Sequence, residues 1–390
     1  MINISKKSQC CGCYGCTNVC PKECIDMKID NEGFWYPKVD KEICIECGLC
    51  EKVCPVINIP QKEEFSSVAY ACKNKNEEIR LSSSSGGVFT NFCEYTIENG
   101  GVVFGAAFDE NFNVKHMEAK TLEECEKFRG SKYVQSKIGV TYKNAKKYLD
   151  EGKLVLFSGT QCQIKGLNLF LRKKYNNLIV IDIVCHGVPS PLVFDMYKEN
   201  LKRKYKSEIK YINFRDKCKG WKTFSYVTDF KNGRKHSKLL NEDKYMIGFL
   251  KNLYLRPSCY NCKAKNFKSD SDMSLADYWG VQSKHLEFDD DKGISLVLIN
   301  SKKGQDVFNE ISSNMKVFKT DLDYAISCNP CIIKPVNENN KRTAFFKKIY
   351  DKNLEQLIDR YTRITLNQKI KNKVRYELSK IKQKIVSNMN

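Results

Sequence analysis

The chain has 390 residues, 42% of them hydrophobic, with 66 Lys/Arg against 46 Asp/Glu for a net charge of +20, and 20 cysteines. That hydrophobic content excludes a disordered chain and allows two or three globular domains. A start without an apolar h-region, and no later apolar stretch of spanning length, argue for a soluble cytoplasmic protein whose cysteines are thiols or metal ligands rather than disulfides.

Much of the basic excess is local. Residues 341–390 carry 14 Lys/Arg against 4 Asp/Glu, a net +10. A solvated tail is the plainer reading, and a docking surface for an acidic partner or anionic lipid headgroups the alternative. No helix-turn-helix, zinc-finger or ribonucleoprotein signature supports a nucleic-acid partner.

The first 58 residues carry the strongest pattern. Cys10, Cys13, Cys16 and Cys20 stand at the spacing CxxCxxCxxxCP, and Cys44, Cys47, Cys50 and Cys54 repeat it 34 residues on. This is the two-cluster bacterial ferredoxin run, in which the fourth cysteine of each half ligates the other half's [4Fe–4S] cluster. Zinc also takes four cysteines, but usually as two CxxC pairs. Cys11 and Cys24 fall outside the pattern and read as bystanders. Between the runs, Ile25 to Ile29, a turn at Asp30 to Gly33, and Phe34 to Val39 read as a hairpin. A polar, proline-interrupted linker follows from Ile59.

From Val68 the pattern becomes mixed α/β. A short strand leads to the serine-glycine loop around Ser84, Ser85, Gly86 and Gly87, which opens a helix with apolar Val88, Phe89, Phe92 and Tyr95. Such a loop suits an anion, because hydroxyls and unpaired N–H groups meet the positive end of the helix dipole; an ordinary serine-capped helix is the alternative. A buried strand from Gly100 lacks GxGxxG, so no dinucleotide fingerprint is present. The loop from Phe128 holds Arg129, Lys132 and Tyr133, able to meet a phosphate or planar ring, or else a surface loop with two solvated cations.

Two further strands end in cysteine loops, one from Leu154 at Cys162 and one from Leu178 at Cys185. Ligands gather at the carboxyl ends of strands in open α/β sheets. Residues 201–250 read as strands and turns. Cys259 and Cys262 form a CxxC, which alone fits half a zinc site, a redox pair or stray thiols. Strands follow near Asp272 to Asp277 and from Gly293, then a second CxxC at Cys328 and Cys331. Ile370, Val374, Leu378, Ile381 and Ile385 fall at helical spacing with lysines between, a packing stripe with peripheral membrane-surface contact as the minority reading.

Six motifs occur together in order: SSSGGVFT from Ser83, GSKYVQS from Gly130, LFSGTQCQ from Leu156, CHGVPSP from Cys185, RPSCYNC from Arg256 and ADYWG from Ala276. They resemble the family of coenzyme F420 hydrogenase/dehydrogenase beta subunits, in its form with an N-terminal ferredoxin domain, over residues 1–345. Gln161 departs from the proline usual there, which frees the loop and adds a backbone donor. The resemblance implies an FAD-dependent oxidoreductase exchanging electrons with ferredoxin or another redox protein, and hydride with coenzyme F420, a deazaflavin, or a related small-molecule acceptor. It gives Cys162, Cys185, Cys259 and Cys262 a common task, ligating a third [4Fe–4S] cluster, with a zinc site or free thiols as the alternative. Cys218, Cys328 and Cys331 are substitutes.

Ser84, Ser85, Gly86, Gly87, Lys132 and Tyr133 are the expected FAD or substrate contacts, and His186 the candidate catalytic proton donor. The expected fold class is α/β (α+β): a ferredoxin-like domain over 1–58, then a mixed α/β flavin-binding reductase region in two parts, 67–150 and 151–325, then a basic helical tail over 326–390. The rival is a non-catalytic electron-transfer subunit of a larger redox or polysaccharide-biosynthesis system.

Overall fold

The computed structural model of the chain describes residues 1–58 and 66–363. Most of the linker from Ile59 and the lysine-spaced stripe from Ile370 lie outside the described residues. The N-terminal unit holds the expected hairpin, β1 (Ile25–Ile29) antiparallel to β2 (Trp35–Val39). Its turn is set by Asp30, whose carboxylate accepts from the backbone N–H of Glu32 (3.0 Å) and Phe34 (2.9 Å).

The remaining strands are β3 (Val68–Asn74), β4 (Val102–Phe108), β5 (Val114–Ala119), β6 (Val155–Thr160), β7 (Leu178–Ile183), β8 (Ile209–Asp216), β9 (Ser225–Phe230), β10 (Lys235–Leu239), β11 (Met273–Asp277), β12 (Ser295–Ile299) and β13 (Met315–Thr320). Eight of them form one mixed sheet in the order β13-β3-β12-β11-β7-β6-β4-β5. Its centre, β4, β6, β7 and β11, is parallel. Those strands are near-continuous apolar runs because both faces are covered. On one side the helix Val88–Glu98 buries Val88, Phe92 and Cys93. The helix Gln161–Leu171 packs Ile164 and Leu167 into a separate core with Phe104 and Phe157.

The segment expected to be strands and turns over 201–250 differs from that reading. β8, β9 and β10 form a small antiparallel sheet, but it is bracketed by the helices Pro191–Tyr205 and Lys244–Leu250. Both start on side-chain caps, Ser190 accepting from Val193 N–H and Asp243 from Met246 N–H. Their apolar faces join Phe214, Tyr226 and the helix Leu354–Thr362 in a third core.

This topology gathers the motif loops along one sheet edge. Thr160 pairs with Ile183 and Ile183 with Leu275, so β6, β7 and β11 end side by side. Ser295 at the start of antiparallel β12 pairs with Asp277, which brings the serine-glycine loop to the same edge.

Candidate functional site

Three cysteine-lined cavities organise the site. Cys10, Cys13, Cys16 and Cys54 line the first, a space of about 20 Å³. Cys44, Cys47, Cys50 and Cys20 line the second, also about 20 Å³. In each, three thiols come from one loop and the fourth crosses from the other repeat, as the spacing requires for two four-iron clusters. The two bystander thiols are not remote from these spaces. Cys24 lines the second cavity with its Sγ 3.4 Å from that of Cys20, and Cys11 lines the first.

The third cavity, about 170 Å³, is lined by Cys162, Cys185, Cys259 and Cys262 together. Cys162 does not sit in a loop: it falls in the first turn of the helix Gln161–Leu171, whose Thr160 cap and Gln163 side chain lock the strand-to-helix turn. Cys185 follows β7, and Cys259 and Cys262 lie on the turn after Arg256. The Cys11 thiol beside it, and then burial, push the Cys162 thiol up; burial does the same to Cys185, Cys262 and Cys259, the last to about 12. Any metal loaded here therefore displaces bound protons. Among the described residues no three His, Cys, Asp or Glu groups converge on the position of a single ion. Of the substitutes, Cys218 is exposed and Cys328 packs against Gly280, while Cys331 approaches His186 (Sγ to Nδ1, 3.8 Å) without lining the cavity.

His186 also lines this cavity. Its Nε2 lies 2.6 Å from Asn252 Oδ1, its ring meets Phe249 edge-on at 5.2 Å, and burial holds its pKa below the ordinary value. Lys265, buried beside it, donates to the carbonyls of Cys185 (2.5 Å) and Cys331 (2.6 Å).

The ferredoxin unit is docked so that its first cavity abuts the third. Gly166 permits the approach, since a Cβ there would stand 2.8 Å from Cys13 Cβ. Gly12, at φ +70°, passes the buried Arg256 guanidinium. Arg342 closes the contact with a two-pronged pair to Glu32, 3.1 and 2.6 Å. Cys11 lines both the first and the third cavities.

The expected flavin residues come together, but with their polar groups engaged inside the protein. Ser84 Oγ accepts from Ser131 N–H (2.7 Å), joining the two loops. Ser85 Oγ donates to Ile294 O (2.7 Å), and Gly86 N–H donates to Ser295 Oγ (3.0 Å). Gly87 caps the helix Val88–Glu98 at φ +78°. Lys132 is not a solvated cation: its amine donates to the carbonyls of Lys127 (2.8 Å), Arg129 (3.1 Å) and Gly130 (3.2 Å), and burial pulls it down to about 7. Tyr133 stacks on Phe249 at 4.8 Å.

The unspent groups next to these loops belong to Arg215, which lies outside the motifs. Arg215, its side chain 2% exposed, pairs with Asp277, yet among the described residues its Nε and Nη2 have no hydrogen-bond partner. Trp279 lies 5.5 Å from that guanidinium and stacks on Trp221 at 4.9 Å. Lys217 bonds the carbonyls of Arg80, Ser85 and Lys292. Asp277 and Trp279 were visible within ADYWG; Arg215 and Lys217 sit in an uninformative stretch.

Comparison with known proteins assigns the chain to a family. Residues 152–325 match the family model for the C terminus of the coenzyme F420 hydrogenase/dehydrogenase beta subunit, residues 69–140 the model for its N-terminal part, and residues 9–58 a 4Fe-4S dicluster domain. A subunit of the F(420)H(2) dehydrogenase of Methanosarcina mazei is 24% identical over 194 residues, 47% of this chain and 54% of that protein. The coenzyme F420-dependent sulfite reductase of Methanocaldococcus jannaschii is 26% identical over 328 residues, 77% of this chain and 46% of that protein. The chain thus spans about half the length of these curated relatives. A chain of the F420-reducing [NiFe] hydrogenase complex from Methanosarcina barkeri aligns at TM-score 0.46 and 17% identity, over 74% of this chain and 95% of that one. No helix among the described residues is long and apolar enough to cross a membrane. By its two matching domain models the chain belongs to the family of coenzyme F420 hydrogenase/dehydrogenase beta subunits, with a 4Fe-4S dicluster domain at its N-terminal end.

Proposed function

We propose that the chain is an iron-sulfur flavoprotein that carries electrons from a redox protein through three [4Fe–4S] clusters to FAD, and to or from coenzyme F420 or a related organic acceptor. The observation that carries this is the convergence of Cys162, Cys185, Cys259 and Cys262 on one cavity that abuts the ferredoxin unit. Four thiolates are a cluster's ligand set, and the exposed Cys47 puts the far cavity within reach of an external donor.

FAD, when bound, supplies the conversion between single electrons and hydride. The unpartnered nitrogens of buried Arg215 fit a group rich in acceptors, and Tyr133, whose Oη lies 3.5 Å from Arg215 Nη1, adds a ring beside it. Ser84, Ser85, Gly86, Gly87 and Lys132 then shape the wall more than they contact the cofactor. His186 is placed to hold a proton next to the third cavity rather than beside Arg215. The engaged serine-glycine loop favours a second reading, a carrier subunit that holds clusters but no flavin and completes its reaction on a partner.

Anaerobic purification with iron, acid-labile sulfide and flavin assays separates the two. About twelve irons and one FAD per chain are expected. The same iron without flavin would give the carrier reading, and iron far below eight would sink both.

A further inference from the structure

Arg256 is the exception among the buried arginines. Arg80, Arg215 and Arg342 each pair with a carboxylate, of Asp290, Asp277 and Glu32 respectively. Arg256 is 0% exposed, and among the described residues no carboxylate reaches it. Its Nε donates to Cys10 O (2.8 Å), its Nη1 to Gln135 Oε1 (3.1 Å) and its Nη2 to Trp35 O (2.9 Å). The guanidinium also lies 4.3 Å from the centre of the Tyr36 ring.

Neutral acceptors and a ring solvate a guanidinium but do not neutralise it, and an uncompensated buried charge costs several kcal/mol. The anions missing from the protein's own carboxylates must come from what its neighbours hold. Those neighbours are specific. The Arg256 backbone leads into the third cavity, with Cys259 N–H donating to Arg256 O (2.9 Å), while its side chain ends on the loop of the first. Lys265, on the lining of the third cavity, repeats the pattern: among the described residues its buried ammonium donates only to carbonyls. The second cavity has no such buried, carboxylate-free cation among the described residues: Lys22 on its lining is exposed, and the Met1 ammonium, also on its lining, is paired with Glu51 at 3.2 Å.

On the reading that all three cavities hold iron-sulfur clusters, we propose that Arg256 is a positioning residue that sets the direction of electron flow: its charge favours the reduced state at the first and third cavities over the second. A reduced cluster carries one more negative charge than an oxidised one, and a fixed cation in a low-dielectric interior stabilises the added charge. The step moves one electron, taken from an external one-electron donor at the second cavity and passed to the first and third. No bond or proton changes.

The test is anaerobic redox titration of the full chain followed by electron paramagnetic resonance, with signals assigned in Cys47→Ala and Cys162→Ala proteins and iron counted in each preparation. Arg256→Gln removes the charge and keeps a hydrogen-bonding side chain; Arg256→Lys keeps the charge. In Arg256→Gln the reduced-to-oxidised ratio of the first and third centres at fixed potential is expected to fall about tenfold, some 59 mV for one electron. The second centre should stay within twofold, and Arg256→Lys within threefold of wild type at every centre. Full iron with less than a twofold change in Arg256→Gln, or a fall in Arg256→Lys as large as in Arg256→Gln, overturns the proposal, because contact rather than charge would then be the cause. If Arg256→Gln cannot be recovered with its iron, Arg256→Lys alone decides: a proximal ratio within threefold supports the proposal and a tenfold fall overturns it. A wild-type chain lacking the iron would fail the cluster reading itself, a result distinguishable from full iron with unmoved potentials.

Discussion

The cysteine basin and the serine-glycine loop share one edge of the main sheet, at the ends of β6, β7, β11 and β3, but they treat their polar groups in opposite ways. Around the basin the thiols are left without strong partners, and Arg256 and Lys265 meet only carbonyl acceptors there. In the loop nearly every donor is spent: Ser85 on Ile294, Gly86 on Ser295, Lys132 on three carbonyls. A binding site keeps groups that its own fold does not satisfy, because a buried polar group without a partner costs about 1–3 kcal/mol until a ligand supplies one. By that measure the basin is a site, and the loop is a strut that holds one up.

The largest effect follows from emptying the basin. Replacing Cys162 and Cys259 together by alanine should remove about four of about twelve irons while the ferredoxin pair stays loaded, since their eight ligands come from residues 10 to 54. Iron and sulfide analysis reads this directly. Loss of all the iron would mean that the two regions form one cooperative unit, and the contrast drawn above would collapse.

The basin depends on docking where the loop does not. Arg342 and Glu32 pair across the ferredoxin contact with side chains 6% and 12% exposed. Arg342→Met leaves Glu32 only the distant Lys7 ammonium (4.0 Å) and should cost about 3 kcal/mol of stability. In a Trp35→Phe background, denaturant unfolding followed by cluster absorbance and by tryptophan fluorescence should separate: the cluster signal is lost first, while Trp221 and Trp279, near the loop, report a later transition. Coincident transitions would show that the ferredoxin unit and the sheet unfold together.

A smaller, pH-dependent effect belongs to the loop. Burial, with the Arg80 and Arg215 charges, pulls Lys217 down to about 7, and Lys132 is pulled there by burial alone. Each folded-state value lies below that of the unfolded chain, so between about pH 7 and pH 10 the unfolded state binds more protons and stability rises with pH. The slope is at most about 1.4 kcal/mol per pH unit for each group. Lys217→Met should remove one group's share of that slope in melts from pH 7 to 9. An unchanged slope would mean that the three carbonyls around Lys217 keep it protonated through that range.

The two regions were also unequally legible in the sequence. Repeated cysteine spacing marks Cys10 to Cys54 as candidate cluster ligands before any geometry, and the family resemblance marks Cys162, Cys185, Cys259 and Cys262 as a candidate set. Strand ends at Cys162 and Cys185 pointed to adjacency, which the Thr160–Ile183 register supplies. Cys11 breaks the CxxC spacing and so reads as a bystander, although beside Gly12, at φ +70°, it lines the third cavity as well as the first. Serine and glycine serve turns and caps as readily as ligands, so the loop's composition could not tell whether its donors were spent. The roles of Arg215 and Arg256 are not legible for a related reason: what a buried guanidinium meets is settled by partners 62 and 246 residues away, and no local spacing encodes it. The helices Pro191–Tyr205 and Lys244–Leu250 were missed because their cores are aromatic, with a mixed pattern that does not stand out as a stripe.

The smallest effect tests the loop as a strut. Ser84→Ala deletes the acceptor of Ser131 N–H, a part-buried hydrogen bond whose net worth is about 1 kcal/mol. The expected loss is therefore of that size, a fall in melting temperature of about 1–2 °C for a chain this long. Flavin per chain should not change, because Ser84 Oγ faces Ser131 and Arg215 keeps its free nitrogens. Arg215→Met, by contrast, should lower flavin content severalfold, since Nε and Nη2 have no other use in the fold. The reverse outcome, flavin lost in Ser84→Ala and kept in Arg215→Met, would make the loop the binding element and Arg215 no more than the partner of Asp277. That result would restore the anion-cradle reading of the serine-glycine motif and move the site two strands along the edge, from β11 past β12 to β3.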